Sequence, residues 1–187
     1  GNVISILHSN DIFQSSKTIE NIHRSFLKTS KDIILANVVF FKNDNFKEIT
    51  RYYTAKNFKP WMLKFGLMPP HTGAFIKRKV YKKTGLYSSK FRIAGDFDFF
   101  LKLFLIKKEK YKYVNLTSTR MQAGGISGKN IFSYILSTLE ILKSLKNNKI
   151  TTNILYILLR VPAKMNQFIF KKTKENNRYF EHILDSF

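Results

Sequence analysis

Four short stretches of this chain set ionisable or small polar side chains directly against apolar ones. In ILHSNDIF, Ile6 to Phe13, an apolar run enters His8, Ser9, Asn10 and Asp11 and then returns to Ile12 and Phe13. In PPHTGAF, His71 follows two prolines; in AGDFDFF, Asp96 and Asp98 flank Phe97; in AGGIS, Gly124 and Gly125 precede Ile126 and Ser127. Asp11 offers the hard oxygen that suits Mg²⁺ or Mn²⁺, ions that take one or two protein carboxylates and complete their shell from phosphate oxygens and water. Asn10 adds an uncharged amide oxygen. A divalent ion there would act as a Lewis acid on a diphosphate leaving group. The same Asn10 and Asp11 also suit a plain turn, for local reasons.

Asp96 and Asp98 stand where an acid-led helix would begin, in the field of the dipole and the free amides. Partial burial among Phe97, Phe99 and Phe100 raises a carboxylate pKa toward the range of a general base. Capping of the helix accounts for the same placement. His71 could contact phosphate or orient an acceptor, or simply be a solvated loop histidine. Gly124 and Gly125 let backbone amides approach an anion, with Ser127 beside them, and equally make a turn.

Elements to carry these residues are readable from pattern. The chain opens on an apolar strand, GNVISIL, already in mid-strand at Gly1. Ser15 and Ser16 suit the cap of a helix with Ile19, Ile22 and Phe26 on one face, ending near Thr29. Asp32 to Phe41 is rich in β-branched and aromatic residues and predicts a buried strand, with FKEITRYY as its hairpin partner across KNDN. A short apolar helix is expected before Pro69 and Pro70, then a strand at TGAFIKR, a helical turn closed by Gly85, a helix over Gly95 to Lys108, a strand at KYKYVNL and a loop at QAGGISG. Two helical patterns follow, Ile131 to Leu145 and Thr151 to about Lys172, the second interrupted by Pro162. The order predicts an α/β unit with a basic, helical tail.

Composition narrows the partners. The 187 residues carry 33 Lys and Arg against 12 Asp and Glu, a formal charge of +21 that favours polyanions. A bias toward Lys, Asn, Ile and Phe raises charge without functional demand, and no helix-turn-helix, zinc or RNA-binding signature is present, so nucleic acid is not the favoured partner. Cysteine is absent, which excludes disulfides, thiolate metal sites and a cysteine nucleophile. The longest apolar runs, such as Ile154 to Leu159, fall short of the roughly 20 residues that a membrane span needs. The tail stripe of Ile131, Ile135, Leu139 and Leu142, with Lys143 and Lys146 beside it, suits either an anionic membrane interface or packing on the α/β unit.

Taken in order, these stretches resemble family 2 glycosyltransferases, of the GT-A fold, in the subgroup that builds bacterial capsule, O-antigen and exopolysaccharide. GNVISILHSNDIF is similar to their strand followed by Ser-Asp-Asp, PPHTGAFIKRKVYKKTGLYSSKFRIAGDFDFFLKL to their acceptor half, and MQAGGIS to the loop after the last sheet strand. The resemblance covers Gly1 to Ser127. It implies a partial GT-A domain (Rossmann-like, mixed sheet) over 1–128 and a basic helical tail over 129–187. It further implies that Asp11 faces a metal-bound nucleotide diphosphate and that Asp96 deprotonates the acceptor hydroxyl. Sugar transfer would then proceed with inversion, from a nucleotide-sugar donor to a glycan or lipid-linked acceptor. The implied setting is the cytoplasm, with peripheral contact at the inner membrane. Two positions depart from the pattern: Asn10 replaces the first acid of the family's pair, and His8 stands where Asn or Asp is common. Family members also carry an N-terminal nucleotide-binding portion before this segment, so the expectation is a fragment or a truncated relative. The competing readings are a non-catalytic basic module for anionic membrane or nucleic acid, and an inactive remnant.

Overall fold

The strand Ile33–Lys42 (β3) is the axis of the molecule because its side chains alternate between two apolar layers. A computed structural model describes residues 1–42, 45–123 and 131–160. Ile33 and Leu35 face one core with Leu63, Phe97, Phe100, Leu101 and Phe104, whereas Ile34 and Ala36 face a second with Ile22 and Phe75. A strand covered on both faces reads as a nearly continuous apolar run, and ILANVVFF is one but for Asn37, which is buried with its Oδ1 accepting from Thr54 Oγ1 at 2.8 Å and Ala55 N–H at 3.2 Å.

Along one edge, β3 pairs in parallel with Tyr111–Gln122 (β6). Along the other it pairs antiparallel with two strands set end to end, Ala74–Lys77 (β5) beside Ile33–Leu35 and Asn45–Tyr53 (β4) beside Val38–Lys42. Val3–Ile4 (β1) adds to β5, and Ile12–Phe13 (β2) adds to β6 at Thr119 and Arg120. The sheet of the described residues is therefore mixed, ordered β1-β5-β3-β6-β2 with β4 off that path.

The opening strand is shorter than its sequence implies. Only Val3 and Ile4 pair, at the sheet edge, and Leu7 is exposed before the chain turns through His8 to Asp11, closed by Asp11 N–H donating to the His8 carbonyl at 3.0 Å. The helix Thr18–Leu27 (α1) forms as expected, but Ser15 does not cap it: the Ser15 Oγ accepts from Lys17 N–H in a local turn, and Ile19 faces solvent. The apolar segment before the prolines is a 3₁₀ turn, Pro60–Phe65, ended by Gly66 in the left-handed region.

Arg78–Thr84 (α2) closes at Gly85, and Gly95–Leu101 (α3) passes into a π turn, Lys102–Ile106, in place of one continuous α-helix to Lys108. There Lys107 N–H donates five residues back to the Lys102 carbonyl at 2.8 Å, and Leu103 and Phe104 both stay buried. An apolar run with inward residues on successive positions does not keep to one α-helical face, and a widened turn accommodates it.

Ile131–Asn147 (α4) and Ile154–Leu158 (α5) place Ile141, Leu145 and Ile157 in the same core as β3 and α3. The expected continuation of the second helix beyond residue 160 lies outside the described residues. Among the described residues no helix is long and apolar enough to cross a membrane.

Candidate active site

Three chain segments meet at the end of the sheet where β6 runs out beside β2. The first is the turn after β1, which carries His8, Asn10 and Asp11. The second is the 3₁₀ turn His71–Gly73 leading into β5. It lies against β3 closely enough that a Cβ on Gly73 would meet the Ala36 carbonyl oxygen at 2.5 Å, so only glycine fits and His71 is held next to the sheet. Thr119 on β6 fastens the same turn, its Oγ1 donating to the Thr72 carbonyl at 3.0 Å. The third segment is the first turn of α3, which carries Asp96.

These segments join His8, His71 and Asp96 in one chain of contacts. His8 Nε2 lies 2.8 Å from His71 Nε2, and His71 Nδ1 lies 3.4 Å from Asp96 Oδ2. The carboxylate accepts only, so His71 carries its proton on Nδ1 toward Asp96, and its Nε2 accepts from His8 Nε2–H. Burial lowers the His71 pKa and so does His8; the carboxylates of Asp96 and Asp11 oppose this, and the net shift is downward. The ring is thus held neutral. Asp96 is partly open to solvent, and its Oδ1 accepts from Phe97 N–H at 2.7 Å.

Asp11 is buried, and its Oδ2 has no hydrogen-bond partner among the described residues. A buried carboxylate oxygen without a donor is the kind of atom a cation satisfies. Among the described residues no group of three or more His, Cys, Asp or Glu converges on a metal position. One carboxylate with phosphate and water oxygens filling the shell is an ordinary way to hold Mg²⁺. The described residues thus offer one carboxylate oxygen, from Asp11, that could take a hard cation, and no preformed protein cage. Asn10 lies exposed in the turn beside it.

The second acid of α3 goes elsewhere. Asp98 is 2% exposed, its Oδ1 accepting from Ser144 Oγ at 2.7 Å and its Oδ2 paired with Lys102 Nζ at 2.7 Å. It ties α3 to α4 and is not joined to His71 or Asp96. Gly124, Gly125 and Ser127 lie outside the described residues.

Further groups at the site were not evident from sequence. Tyr53 donates to the Met68 carbonyl, and its pKa is raised by burial against the opposing Arg51 cation, with the nearby Asp96 charge adding to the rise. The Arg51 guanidinium lies 4.9 Å from the Phe40 ring centre and 5.0 Å from that of Tyr53, and burial lowers its pKa. The alternation of RYY on β4 puts Arg51 and Tyr53 on one face, and that was the available signal. On β6, Arg120 Nε donates to Gln14 Oε1 at 2.8 Å, which buries a guanidinium on the strand paired with β2.

No protein-family profile matches the chain, and no curated protein sequence is significantly similar to it. Among solved structures it is similar to S. aureus TarS, residues 1–349, a glycosyltransferase, with a TM-score of 0.50 and 14% identity. That match covers 100% of this chain and 55% of the TarS chain, so the present sequence spans about half of the structure it resembles. At that identity the likeness bears on backbone architecture alone. The chain has a mixed α/β fold, compatible with part of a Rossmann-like GT-A domain.

Proposed function

We propose that this chain supplies the metal-facing turn and the acceptor half of a family 2 type glycosyltransferase, which moves a sugar from a nucleotide-diphosphate donor to a glycan or lipid-linked acceptor with inversion. The observation that carries the reading is the convergence of Asp11, His71 and Asp96, from three separate segments, at one end of the sheet. Asp96 is the candidate base: partly open, on a rigid helix start, and oriented through its second oxygen by His71. It would take the proton of the acceptor hydroxyl as the hydroxyl oxygen attacks the anomeric carbon and the bond to the diphosphate oxygen breaks. His71, kept neutral with its Nδ1 proton toward Asp96, would hold that carboxylate in place. Asp11 would hold a Mg²⁺ or Mn²⁺ that offsets the charge of the departing diphosphate when bound, with Asn10 as an uncharged neighbour.

The test is titration calorimetry of nucleoside diphosphates into the chain, with and without Mn²⁺. Metal-dependent binding that falls at least about tenfold in Asp11→Ala, the loss of one charged ligand, is the expected result. Binding indifferent to both Mn²⁺ and the substitution would remove Asp11 from the site and the reading with it.

A further inference from the structure

On the side of the molecule formed by α4, α5 and the Pro60–Phe65 turn, apolar side chains face water. Phe132, Ile135 and Leu139 form one stripe of α4, and Phe132 is 76% exposed. Around the buried Ile157, α5 turns Ile154, Leu155, Leu158 and Leu159 outward. Trp61, 58% exposed, sits edge-on to Phe65 at 5.8 Å, and Phe65 packs on Tyr156 at 5.4 Å, so the 3₁₀ turn and α5 form one surface. Gly66 lies against Ile141 of α4 and Ile157 of α5, joining the three elements.

Charge on this face is predominantly positive. Across residues 60–65 and 131–160 the only acid is Glu140, and its carboxylate is taken up by the amides of Arg92, Ile93 and Ala94. Lys64, Lys143, Lys146 and Lys149 are exposed. Beside Pro60 opens a cleft of about 510 Å³ lined by Lys31, Lys108 and Lys110 with Phe104, Leu105 and Tyr111. Its one acid, Glu109, is paired with Lys83 Nζ at 3.6 Å. Single exposed apolar residues are ordinary on a protein surface, but a connected set rimmed by cations is not.

We propose that this face lies in the interface of a lipid bilayer rich in anionic phospholipid, with Trp61, Phe132, Leu139 and Leu155 at the acyl boundary and the lysines among the headgroups. Both halves of the chemistry are needed. A polynucleotide would engage the lysines and leave Phe132 and Leu155 in water. A second copy seated symmetrically would bring the same lysines face to face, with no carboxylate to meet them. An anionic interface takes the apolar groups and the cations together, and tryptophan favours that depth.

The experiment is binding of the full chain to vesicles of phosphatidylcholine, with and without phosphatidylglycerol. Trp61 is the only tryptophan, so its emission reports this face alone. We expect binding only with phosphatidylglycerol, a blue shift of Trp61, and quenching by lipids brominated in the acyl chain. The charge-neutral triple variant Ile135→Ser, Leu139→Ser, Leu155→Ser should weaken partitioning by at least about tenfold. Lys64→Gln with Lys143→Gln and Lys146→Gln should do so to a similar extent, about tenfold. Circular dichroism confirms that each exposed-site variant remains folded. Three results overturn the inference: no binding by the folded chain, binding that leaves Trp61 emission and the serine variant unchanged, or a lipid-free dimer that the serine variant abolishes. Vesicle binding and nucleotide binding are measured separately, so either can fail without the other.

Discussion

At the scale of single residues, the two acids of GDFDFF show how much position decides. Asp96 and Asp98 differ by two places and share a helix turn, and nothing in their local sequence tells them apart. What separates them is Ser144, 46 residues away, and Lys102, which together hold Asp98 in a nearly dry contact between α3 and α4. The first acid keeps an exposed edge and a histidine partner. We therefore expect Asp98→Ala to lower unfolding stability by about 2–4 kcal/mol, since it leaves Ser144 and Lys102 facing an unfilled, unpaired site. Asp96→Ala should cost less than about 1 kcal/mol, as a partly open surface position does. Urea denaturation of the two variants checks this, and equal losses would mean that both acids serve packing. His8 shows the opposite limit of reading a sequence: it is visible as an odd residue before Asn10, but its contact with His71 depends on a turn and a strand register that span 63 residues.

At the scale of elements, the docking of α4 rests on an unusual arrangement. Glu140 reaches across to the residues that precede α3 and accepts from the N–H groups of Arg92, Ile93 and Ala94, each at 2.8 Å. Burial alone would raise its pKa. The three amide bonds and the Lys143 cation outweigh that, and the folded-state pKa lies below the ordinary value. A carboxylate held lower in the folded than in the unfolded chain adds stability above its unfolded pKa of about 4.3 and loses it as pH falls through the lower folded value. Glu140→Gln should thus be less stable than the parent at pH 6–7, and the gap should close on acidification below about pH 4. Denaturation midpoints of both proteins across that range give the measurement; a gap constant with pH would assign the effect to shape and not to charge.

The elements themselves were legible to differing degrees. The β3 run, its β4 hairpin, α1 and α4 follow from β-branched composition and apolar period. The opening strand was legible but not its short extent at Val3–Ile4, and the 3₁₀ turn and the π turn were not, because they are set by what they pack against. Gly73 is a case in point: its necessity comes from the Ala36 carbonyl, which only the fold brings near.

At the scale of the whole molecule, the charge of +21 acts as a field that opposes folding and recruits anions. Most acids in the described residues are already engaged by cations or amides: Glu20 with Arg24, Asp32 with Lys77 and Lys79, Asp98 with Lys102, Glu109 with Lys83, and Glu140 with backbone. Among the described residues lysines far outnumber the carboxylates that could offset them, so mutual repulsion is the unbalanced term. Raising NaCl from about 20 to about 300 mM shortens the screening length from roughly 20 Å to under 6 Å. Repulsion between lysines across the surface is then suppressed, whereas contacts near 3 Å such as Asp98 with Lys102 are little affected. The melting temperature should rise by about 3–6 °C over that range, the shift that 1–2 kcal/mol produces in a domain of this size. Differential scanning calorimetry in NaCl, compared with sulfate at matched ionic strength, separates general screening from anion capture. A rise equal in both salts makes repulsion the cause; a larger rise in sulfate that saturates at low concentration means that cations are clustered tightly enough to bind an anion, whereas one that keeps growing with concentration is the general exclusion of sulfate. A fall in melting temperature would show that the close ion pairs outweigh the field, and that the excess of lysine costs the fold nothing.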